Sequence, residues 1–266
     1  MDKEYLINKL IEYFRIENRQ LNQDEIPEDI DEKREYLDNI IALREPEEID
    51  QVILDLEREL LEIELKERGV VPAYEIDNVY HTLGSDDEVA NEICLWQGDI
   101  TRLKVDAIVN ATNPSLIGCN VKSHKCIDRI IHSRAGISLK LECDQIIKNQ
   151  VHKEEIGKAK LTNAYNLPCK YIIHTVGPKV LGNVTEKERT ELKSCYNSIL
   201  ELAMKNEFKI IAIPCISTGE YRFPKSEAAY ISLNTIKEFL KKNKCFNKVI
   251  ICTFTNEDYN EYKKLL

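Results

Sequence analysis

The sequence predicts an α/β domain with a largely parallel sheet covered by helices, preceded by a small helical part. Three observations support this prediction. Apolar residues recur at helical spacing in residues 1–69, residues 70–90 are rich in turn-forming and acidic residues, and short apolar runs alternate with helical stretches from residue 91 onward. Such alternation is typical of a parallel sheet between helices. We therefore divide the chain into a helical N-terminal extension, residues 1–90, and an α/β domain, residues 91–266.

The N-terminal extension is predicted to contain three helices. Pro46 is expected to start the third, because proline is favoured in a first turn, and Gly69 is expected to end it. No catalytic constellation is visible here, so an accessory role is expected. The apolar residues that define the helices are Leu6, Leu10, Ile11 and Phe14 in the first, Leu37, Ile40 and Ile41 in the second, and Ile49, Val52, Ile53, Leu56, Leu60, Ile63 and Leu65 in the third.

The second part of the chain is predicted to alternate between strands and helices. In parallel sheets ligands bind outside the carboxyl ends of the strands, so the residues that follow each strand are the candidates for function. The predicted strands are residues 93–97, 107–109, 171–176, 209–215 and 248–254, and the predicted helices lie near residues 127–149, 187–206 and 225–243.

Composition describes a soluble protein with a sizeable core. Hydrophobic residues make up 43% and charged residues 31% of the 266 positions. No apolar run approaches the roughly 18 residues needed to span a bilayer, and the N-terminus has no signal-peptide character, so no membrane partner is expected. The nine cysteines are an odd number, and several lie in apolar strand-like runs. This pattern favours reduced thiols in the cytoplasm over a disulfide framework.

Charge is distributed unevenly along the chain. Residues 1–90 carry 10 Lys and Arg against 27 Asp and Glu, a net charge of −17, whereas residues 91–266 carry 27 against 19, a net charge of +8. The locally basic second part suits an anionic ligand such as a phosphate ester. No Lys/Arg tract is dense enough to indicate binding of duplex nucleic acid.

Two thiols and an imidazole lie within eight positions, at Cys119, His124 and Cys126; we call residues 119–126 the Cys-His-Cys loop. Sulfur and imidazole nitrogen are ligands that Zn²⁺ prefers, and three protein ligands leave one coordination position open, as in catalytic zinc sites. Residues two positions apart point away from each other on a helix, so the cluster requires an irregular loop. The alternative is a reduced, thiol-rich loop with a chance histidine.

Asp128 follows this loop at the start of a predicted helix. It is a candidate general base, although a carboxylate at that position also fits an N-cap. Other polar residues follow the predicted strands. Asn110 and Asn113 offer amides for sugar hydroxyls, and Ser217-Thr218-Gly219 offers a backbone that an anion can approach. Each of these short segments is also compatible with an ordinary turn.

Taken together, the motifs resemble the signature of the macrodomains, which bind ADP-ribose on a three-layer α/β/α fold with a mixed, largely parallel sheet. The matching segments are residues 98–101, 105–113, 127–136, 157–159, 171–178 and 213–223. Many macrodomains have a run of glycines where this chain has its Cys-His-Cys loop. That departure and the helical extension resemble the zinc-dependent branch, whose members remove ADP-ribose from proteins through a Cys-His-Cys metal site.

The resemblance implies roles for the matching positions. Asp99 and the backbone of Ile100 are expected to bind adenine, with Phe254 packed on the ring, and Asn110 and Asn113 to position the distal ribose. The residues expected to surround the pyrophosphate are Ser217, Thr218, Gly219, Glu220 and Tyr221. In other macrodomains this last loop is richer in glycine, which leaves the role of Glu220 open.

The resemblance also implies a reaction. We expect a hydrolase that removes mono-ADP-ribose from modified proteins, with Zn²⁺ on Cys119, His124 and Cys126, and with Asp128 and Asn113 in catalysis. The alternatives are a reader module that binds ADP-ribose around a structural zinc and a nucleotide-binding scaffold whose helical part recruits a partner. The expected partner is an ADP-ribosylated protein, a lipoyl carrier protein being one candidate, and the expected state is a monomer.

Overall fold

The computed structural model describes residues 2–266. Three helices form the N-terminal extension: α1 (Lys3–Glu17), α2 (Ile30–Leu43) and α3 (Gln51–Arg68). Most of their predicted apolar residues lie in one shared cluster, which Ile137 of the α/β domain completes, whereas Val52 of α3 is 67% exposed. The buried members of the extension are Leu6, Ile7, Leu10, Ile11, Phe14, Leu37, Ile40, Ile53 and Leu60.

The third helix begins later than Pro46, the predicted start. The guanidinium of Arg44 donates to three carbonyls of the preceding segment, those of Glu45 at 3.2 Å, Glu47 at 2.9 Å and Glu48 at 3.1 Å. These bonds hold the segment outside the helix, which therefore starts after Asp50. Its C-terminus is at the predicted position, where Gly69 has a φ of 73°.

After α3 the chain forms the strands β1 (Val71–Pro72), β2 (Ile93–Gln97), β3 (Leu103–Lys104), β4 (Ala107–Thr112), β5 (Ala159–Asn163), β6 (Tyr171–Val176), β7 (Ile210–Pro214) and β8 (Lys248–Thr253). Six of them form one sheet in the order β2-β8-β7-β4-β6-β5, and β1 pairs with β3. All pairs in the large sheet are parallel except β5 with β6. The sheet is thus mixed and largely parallel, as predicted, although the edge strand β5 was not among the predicted strands.

Helices cover both faces of this sheet. They are α4 (Val79–Leu83), α5 (Ile127–Ala135), α6 (Ile137–Gln150), α7 (Glu186–Lys205), α8 (Lys225–Lys242) and α9 (Asn256–Lys263). Alternate residues of a strand point to opposite faces. In β8, Val249 and Ile251 accordingly pack with α7, α8 and α9, whereas Ile250 and Cys252 share a cluster with α5 and α6. The result is the predicted three-layer α/β/α arrangement.

Residues between α3 and β2 contribute to these same two clusters. Ala73 and Ile76 belong to the cluster beneath α5 and α6, and Val79, Val89 and Ala90 belong to the opposite one. The segment after α3 therefore packs on the α/β domain. Division of the chain at residue 90 stays a prediction.

A buried carboxylate joins the extension to the α/β domain. The helical stretch predicted near residues 127–149 is divided into α5 and α6 at Gly136, which has a φ of 93°. Both carboxylate oxygens of Glu57, on α3, accept from the N–H of Ile137 at the start of α6, at 3.0 and 3.2 Å. A Cβ atom at Gly136 would lie 2.7 Å from the Glu57 Oε2 atom, so only glycine leaves room for this contact.

A buried ammonium makes a second connection. The Nζ atom of Lys140, on α6, donates to the carbonyls of Ala42 at 2.8 Å, Ile41 at 3.4 Å and Arg44. These carbonyls lie at the C-terminus of α2, where helical carbonyls have no intrahelical partner and a cation is favoured. Helix α2 is therefore fixed to the α/β domain at its C-terminal end.

Candidate active site

The carboxyl ends of five parallel strands bring the predicted loops to one rim of the sheet. The Cys-His-Cys loop follows β4, residues 216–221 follow β7, and Phe254 follows β8. We call residues 216–221 the Ser-Thr-Gly loop. The rim is where ligands bind in sheets of this kind.

In the Cys-His-Cys loop the three predicted ligands converge. The Cys119 Sγ atom lies 3.2 Å from His124 Nδ1, and these two atoms and the Cys126 Sγ atom all lie within 4.8 Å of one another. Zinc bonds of about 2.3 Å to sulfur and 2.0 Å to nitrogen at tetrahedral angles separate ligand atoms by roughly 3.5–3.8 Å. The donor set and its spacing therefore fit Zn²⁺.

Cys126 also starts helix α5. Its Sγ atom is the N-cap acceptor and lies 3.5 Å from the backbone N of Arg129. Burial raises the pKa of the Cys126 thiol to about 12, and this N–H opposes the increase. A metal ligand must lose its proton, so cation binding here is expected to release protons.

Asp128 does not cap helix α5, although its position at the start of the predicted helix was also compatible with an N-cap. The residue is 5% exposed; Oδ1 accepts from Asn110 Nδ2 at 2.8 Å and Oδ2 accepts from Asn113 Nδ2 at 3.3 Å. Burial raises the pKa of Asp128 to about 6, while hydrogen bonds from Asn110, Thr112 and Asn113 oppose this shift. Two amides thus hold a buried carboxylate directly beside the Cys-His-Cys loop.

Asn113 connects this carboxylate to the loop. Its Nδ2 atom also donates to the Gly118 carbonyl at 3.0 Å, and its Oδ1 atom accepts from the backbone N of Ser115 at 2.9 Å. The amide is therefore fixed from both ends. Through these bonds Asn113 connects the Asp128 carboxylate to the backbone directly before the Cys-His-Cys loop.

Behind Asp128 a buried polar chain runs from Asn110 to His174 and Thr162, two residues that the sequence did not single out as functional. Asn110 lies within β4, not after it, and its Nδ2 atom is 3.2 Å from His174 Nδ1. The other ring nitrogen of His174 is 2.9 Å from Thr162 Oγ1. Burial lowers the pKa of His174 to about 3, so the ring is neutral, accepting from Asn110 at Nδ1 and donating to Thr162 at Nε2. Polar residues inside otherwise apolar strands are the sequence signal that marks such a chain.

The Ser-Thr-Gly loop is compact. The backbone N of Phe223 donates to the Ser217 carbonyl at 3.0 Å, and Thr218 Oγ1 donates to the Cys215 carbonyl at 3.1 Å. Ser217 has a φ of 66°, and a Cβ atom at Gly177 would lie 2.1 Å from its Oγ atom. At position 177 the chain after β6 passes so close to Ser217 of the Ser-Thr-Gly loop that glycine is required there.

The remaining pyrophosphate candidates lie at the tip of this loop. Gly219 and Glu220 are exposed, and the carboxylate of Glu220 reaches the imidazole of His124. The carbonyl of Tyr221 accepts from the backbone N of Val180 at 2.8 Å. Glu220 thus brings the tip of the Ser-Thr-Gly loop to the Cys-His-Cys loop.

The adenine candidates lie at the other end of the rim. Asp99 Oδ1 accepts from the backbone N of Thr101 at 2.9 Å, and Ile100 is buried. The backbone N of Gly98 donates to the Thr253 carbonyl at 2.9 Å, which places residue 99 beside the end of β8. Phe254 follows directly and is 73% exposed, so its ring is available for stacking.

Comparison with known proteins agrees with this arrangement. The sequence model of the Macro domain family matches residues 109–232. A protein from Treponema medium, named protein-ADP-ribose hydrolase, is 39% identical over 257 residues, which is 97% of this chain and 96% of that protein. The chain belongs to the macrodomain family.

Other macrodomains are similar over much of the chain. A Staphylococcus aureus protein-ADP-ribose hydrolase (strain MSSA476) is 46% identical over 175 residues, 65% of this chain and 66% of that protein. The crystal structure of a Trypanosoma brucei macrodomain in complex with ADP-ribose superimposes with a TM-score of 0.66 at 28% identity, covering 85% of this chain and 94% of that one. The predicted macrodomain family and α/β fold class are confirmed.

Proposed function

We propose that this macrodomain is a hydrolase that removes mono-ADP-ribose from modified proteins and that it uses Zn²⁺ held by Cys119, His124 and Cys126. The observation that carries the proposal is a hydrogen-bonded link, through Asn113, between a buried carboxylate and the backbone directly before a metal-ligand cluster. Asn113 bonds both Asp128 and the carbonyl at the start of the Cys-His-Cys loop. Three ligands with an open coordination position beside a carboxylate are the components of metal-assisted hydrolysis.

The relatives support the substrate class. The Treponema medium and Staphylococcus aureus proteins are both named protein-ADP-ribose hydrolases, and the Trypanosoma brucei macrodomain binds ADP-ribose in its crystal structure. The match to the first of these extends through the helical extension. A hydrolase of this substrate class is therefore the function that both the relatives and the site geometry favour.

Asp128 orients the attacking water and accepts its proton as general base in the proposed reaction. Asn110 and Asn113 hold its two oxygens, so the carboxylate keeps one orientation. With a pKa of about 6, Asp128 is ionised near neutral pH and remains a better base than an exposed aspartate. Held by Cys119, His124 and Cys126, Zn²⁺ would supply Lewis acidity to this site.

The rest of the rim binds the nucleotide. Asp99 and Ile100 hold adenine and Phe254 packs on the ring. The Ser-Thr-Gly loop holds the pyrophosphate, and Asn113 contacts the distal ribose. The strand ends support this division, because the adenine candidates and the Cys-His-Cys loop lie on different strands of one parallel sheet.

The deciding experiment measures release of ADP-ribose from a mono-modified protein. We expect release by the zinc-loaded wild type and by Cys245→Ser, a control that removes another partly buried thiol. Chelator-treated protein and Cys126→Ser are expected to be inactive. Full turnover by Cys126→Ser in metal-free buffer would refute the role of zinc. Stable 1:1 binding of modified protein without loss of label would instead identify a reader.

Further expectations about partners rest on the resemblance. We propose that the protein acts as a cytoplasmic monomer on an ADP-ribosylated protein, with a lipoyl carrier protein as one candidate. Comparison of substrates linked through Asp or Glu, Ser and Arg will identify the linkage. Within residues 2–266 no helix is both long and apolar enough to cross a membrane.

A further inference from the structure

Helix α2 of the extension reaches the Cys-His-Cys loop through Asn39. Its Oδ1 atom accepts from the backbone N of Ser123 at 2.8 Å, and its Nδ2 atom donates to Ser123 Oγ at 3.2 Å. Asn39 is only 6% exposed, although it lies on a helix rich in charged residues. A buried amide with both ends bonded to one loop residue is a specific contact, because a slip of the loop would leave buried polar atoms without partners.

Arg129 extends the same contact. Its Nη2 atom donates to Asn39 Oδ1 at 2.7 Å and its Nε atom to Asp38 Oδ2 at 3.2 Å. Its Nη1 atom points to the loop, with the Val121 carbonyl at 3.2 Å and the Cys119 carbonyl at 3.5 Å. The side chain is 5% exposed. One guanidinium therefore ties helix α2 to the backbone of the residue that supplies the first metal ligand.

The loop requires such support. Ser123 has a φ of 53°, a left-handed conformation that side-chain-bearing residues seldom adopt and that persists where the surroundings enforce it. It lies between two of the ligands and directly precedes His124. The support is itself rigid, because Lys140 fixes the C-terminal end of α2 to the α/β domain.

We propose that Asn39 and Arg129 are positioning residues through which the helical extension holds the Cys-His-Cys loop in its metal-binding conformation. The inference rests on the proposed function for the identity of the metal. It assigns the extension a role in metal affinity instead of partner recruitment. Groups that orient metal ligands typically alter affinity or activity about 10–100-fold when they are removed.

The test compares four variants of the full chain by zinc affinity, measured with a competing chelator, and by amide hydrogen exchange of residues 119–126 in metal-free protein. We expect Asn39→Ala and Arg129→Lys to bind zinc about 10–100-fold more weakly and to exchange faster in the loop. Asn39→Asp keeps the acceptor for Ser123 and Arg129 and is expected to bind zinc with nearly wild-type affinity.

Lys248→Met is the matched control. It removes hydrogen bonds to the Ala73 and Ile76 carbonyls, a contact between the extension and the α/β domain that involves neither α2 nor the loop. Its melting temperature should fall while its zinc affinity stays unchanged. Wild-type zinc affinity and loop exchange in both Asn39→Ala and Arg129→Lys would overturn the proposal. If the wild type binds no zinc, the proposed metal is wrong, and the exchange measurement still decides whether α2 orders the loop.

Discussion

His124 and Glu220 face each other across the rim, with His124 Nε2 3.3 Å from Glu220 Oε1. The other ring nitrogen, Nδ1, points to the Cys119 sulfur at 3.2 Å. A carboxylate on one side of an imidazole and a metal position on the other is a common arrangement, because the carboxylate fixes the tautomer and orientation of the ligand. The contact also joins the Cys-His-Cys loop to the Ser-Thr-Gly loop.

We predict that Glu220→Ala lowers zinc affinity by about tenfold, because the imidazole loses the group that orients it. Glu220→Gln keeps an oxygen that accepts from Nε2 and should show a smaller effect. Competition with a chelator measures both. Glu238→Gln, an exposed glutamate that pairs with Lys193 on the far face, is the control. Unchanged zinc affinity in Glu220→Ala would show that the contact does not orient the ligand.

Asp128→Asn is predicted to slow ADP-ribose release by about 10²–10⁴-fold, the usual contribution of a general base. Zinc content and ADP-ribose affinity should barely change. The melting temperature should fall, because an amide in place of the carboxylate turns a donor toward Asn110 or Asn113. Asp144→Asn, which alters a helix-surface pair with Lys148, serves as the control. Near-normal hydrolysis by Asp128→Asn would exclude the carboxylate as the base.

Phe254→Ala is predicted to weaken ADP-ribose binding by about tenfold, in line with the roughly 1–3 kcal/mol that an aromatic side chain contributes when a base stacks on it. Isothermal titration measures the change. Tyr74→Ala is a matched control, since Tyr74 is 79% exposed and lies near the opposite end of β8, where Lys248 bonds the Ala73 carbonyl. Equal affinities of the two variants would place adenine elsewhere.

Glu57 gives a prediction about stability and pH. Burial raises its pKa from 4.5 to about 7, with the Ile137 N–H and Arg34 opposing the shift. The folded state therefore holds this proton more tightly than the unfolded state. Its stability contribution is fully present below pH 4.5, declines as pH rises to about 7 and stays constant above that.

The matched variant is Glu57→Gln, which keeps an oxygen for the Ile137 N–H but does not titrate. From pH 4.5 to pH 8 the free energy of unfolding of wild type should fall relative to this variant by roughly 3 kcal/mol. Urea unfolding at both pH values measures it. A constant difference between the two proteins would mean that the Glu57 carboxyl has an ordinary pKa in the folded state.

Apolar patterning predicted the buried elements well and the peripheral ones poorly. The predicted strands at 93–97 and 171–176 have the bounds of β2 and β6. Strand β5, at the sheet edge, is mostly half-buried and offers no continuous apolar run, and α9 is a short helix with a polar sequence. Elements of this kind are formed by the neighbours they pair with, which a local pattern does not show.

The candidate site also combines residues that a local pattern predicts with residues that only the fold brings together. Cys119, His124 and Cys126 are close in sequence, so the sequence alone predicts a metal-ligand cluster. Asn39 lies 84 positions from Ser123, and the chain from Asn110 through His174 to Thr162 crosses three strands. Contacts of this range depend on the tertiary fold, and no spacing rule predicts them.

The requirement for glycine at position 136 comes from both the helical extension and the α/β domain. A side chain there would clash with the Glu57 carboxylate and would also have to adopt a φ of 93°. Substitution at Gly136 would therefore displace the buried Glu57 carboxyl group on α3. The two positions should vary together among relatives that retain the extension, whereas a macrodomain without α3 would be free of this part of the constraint.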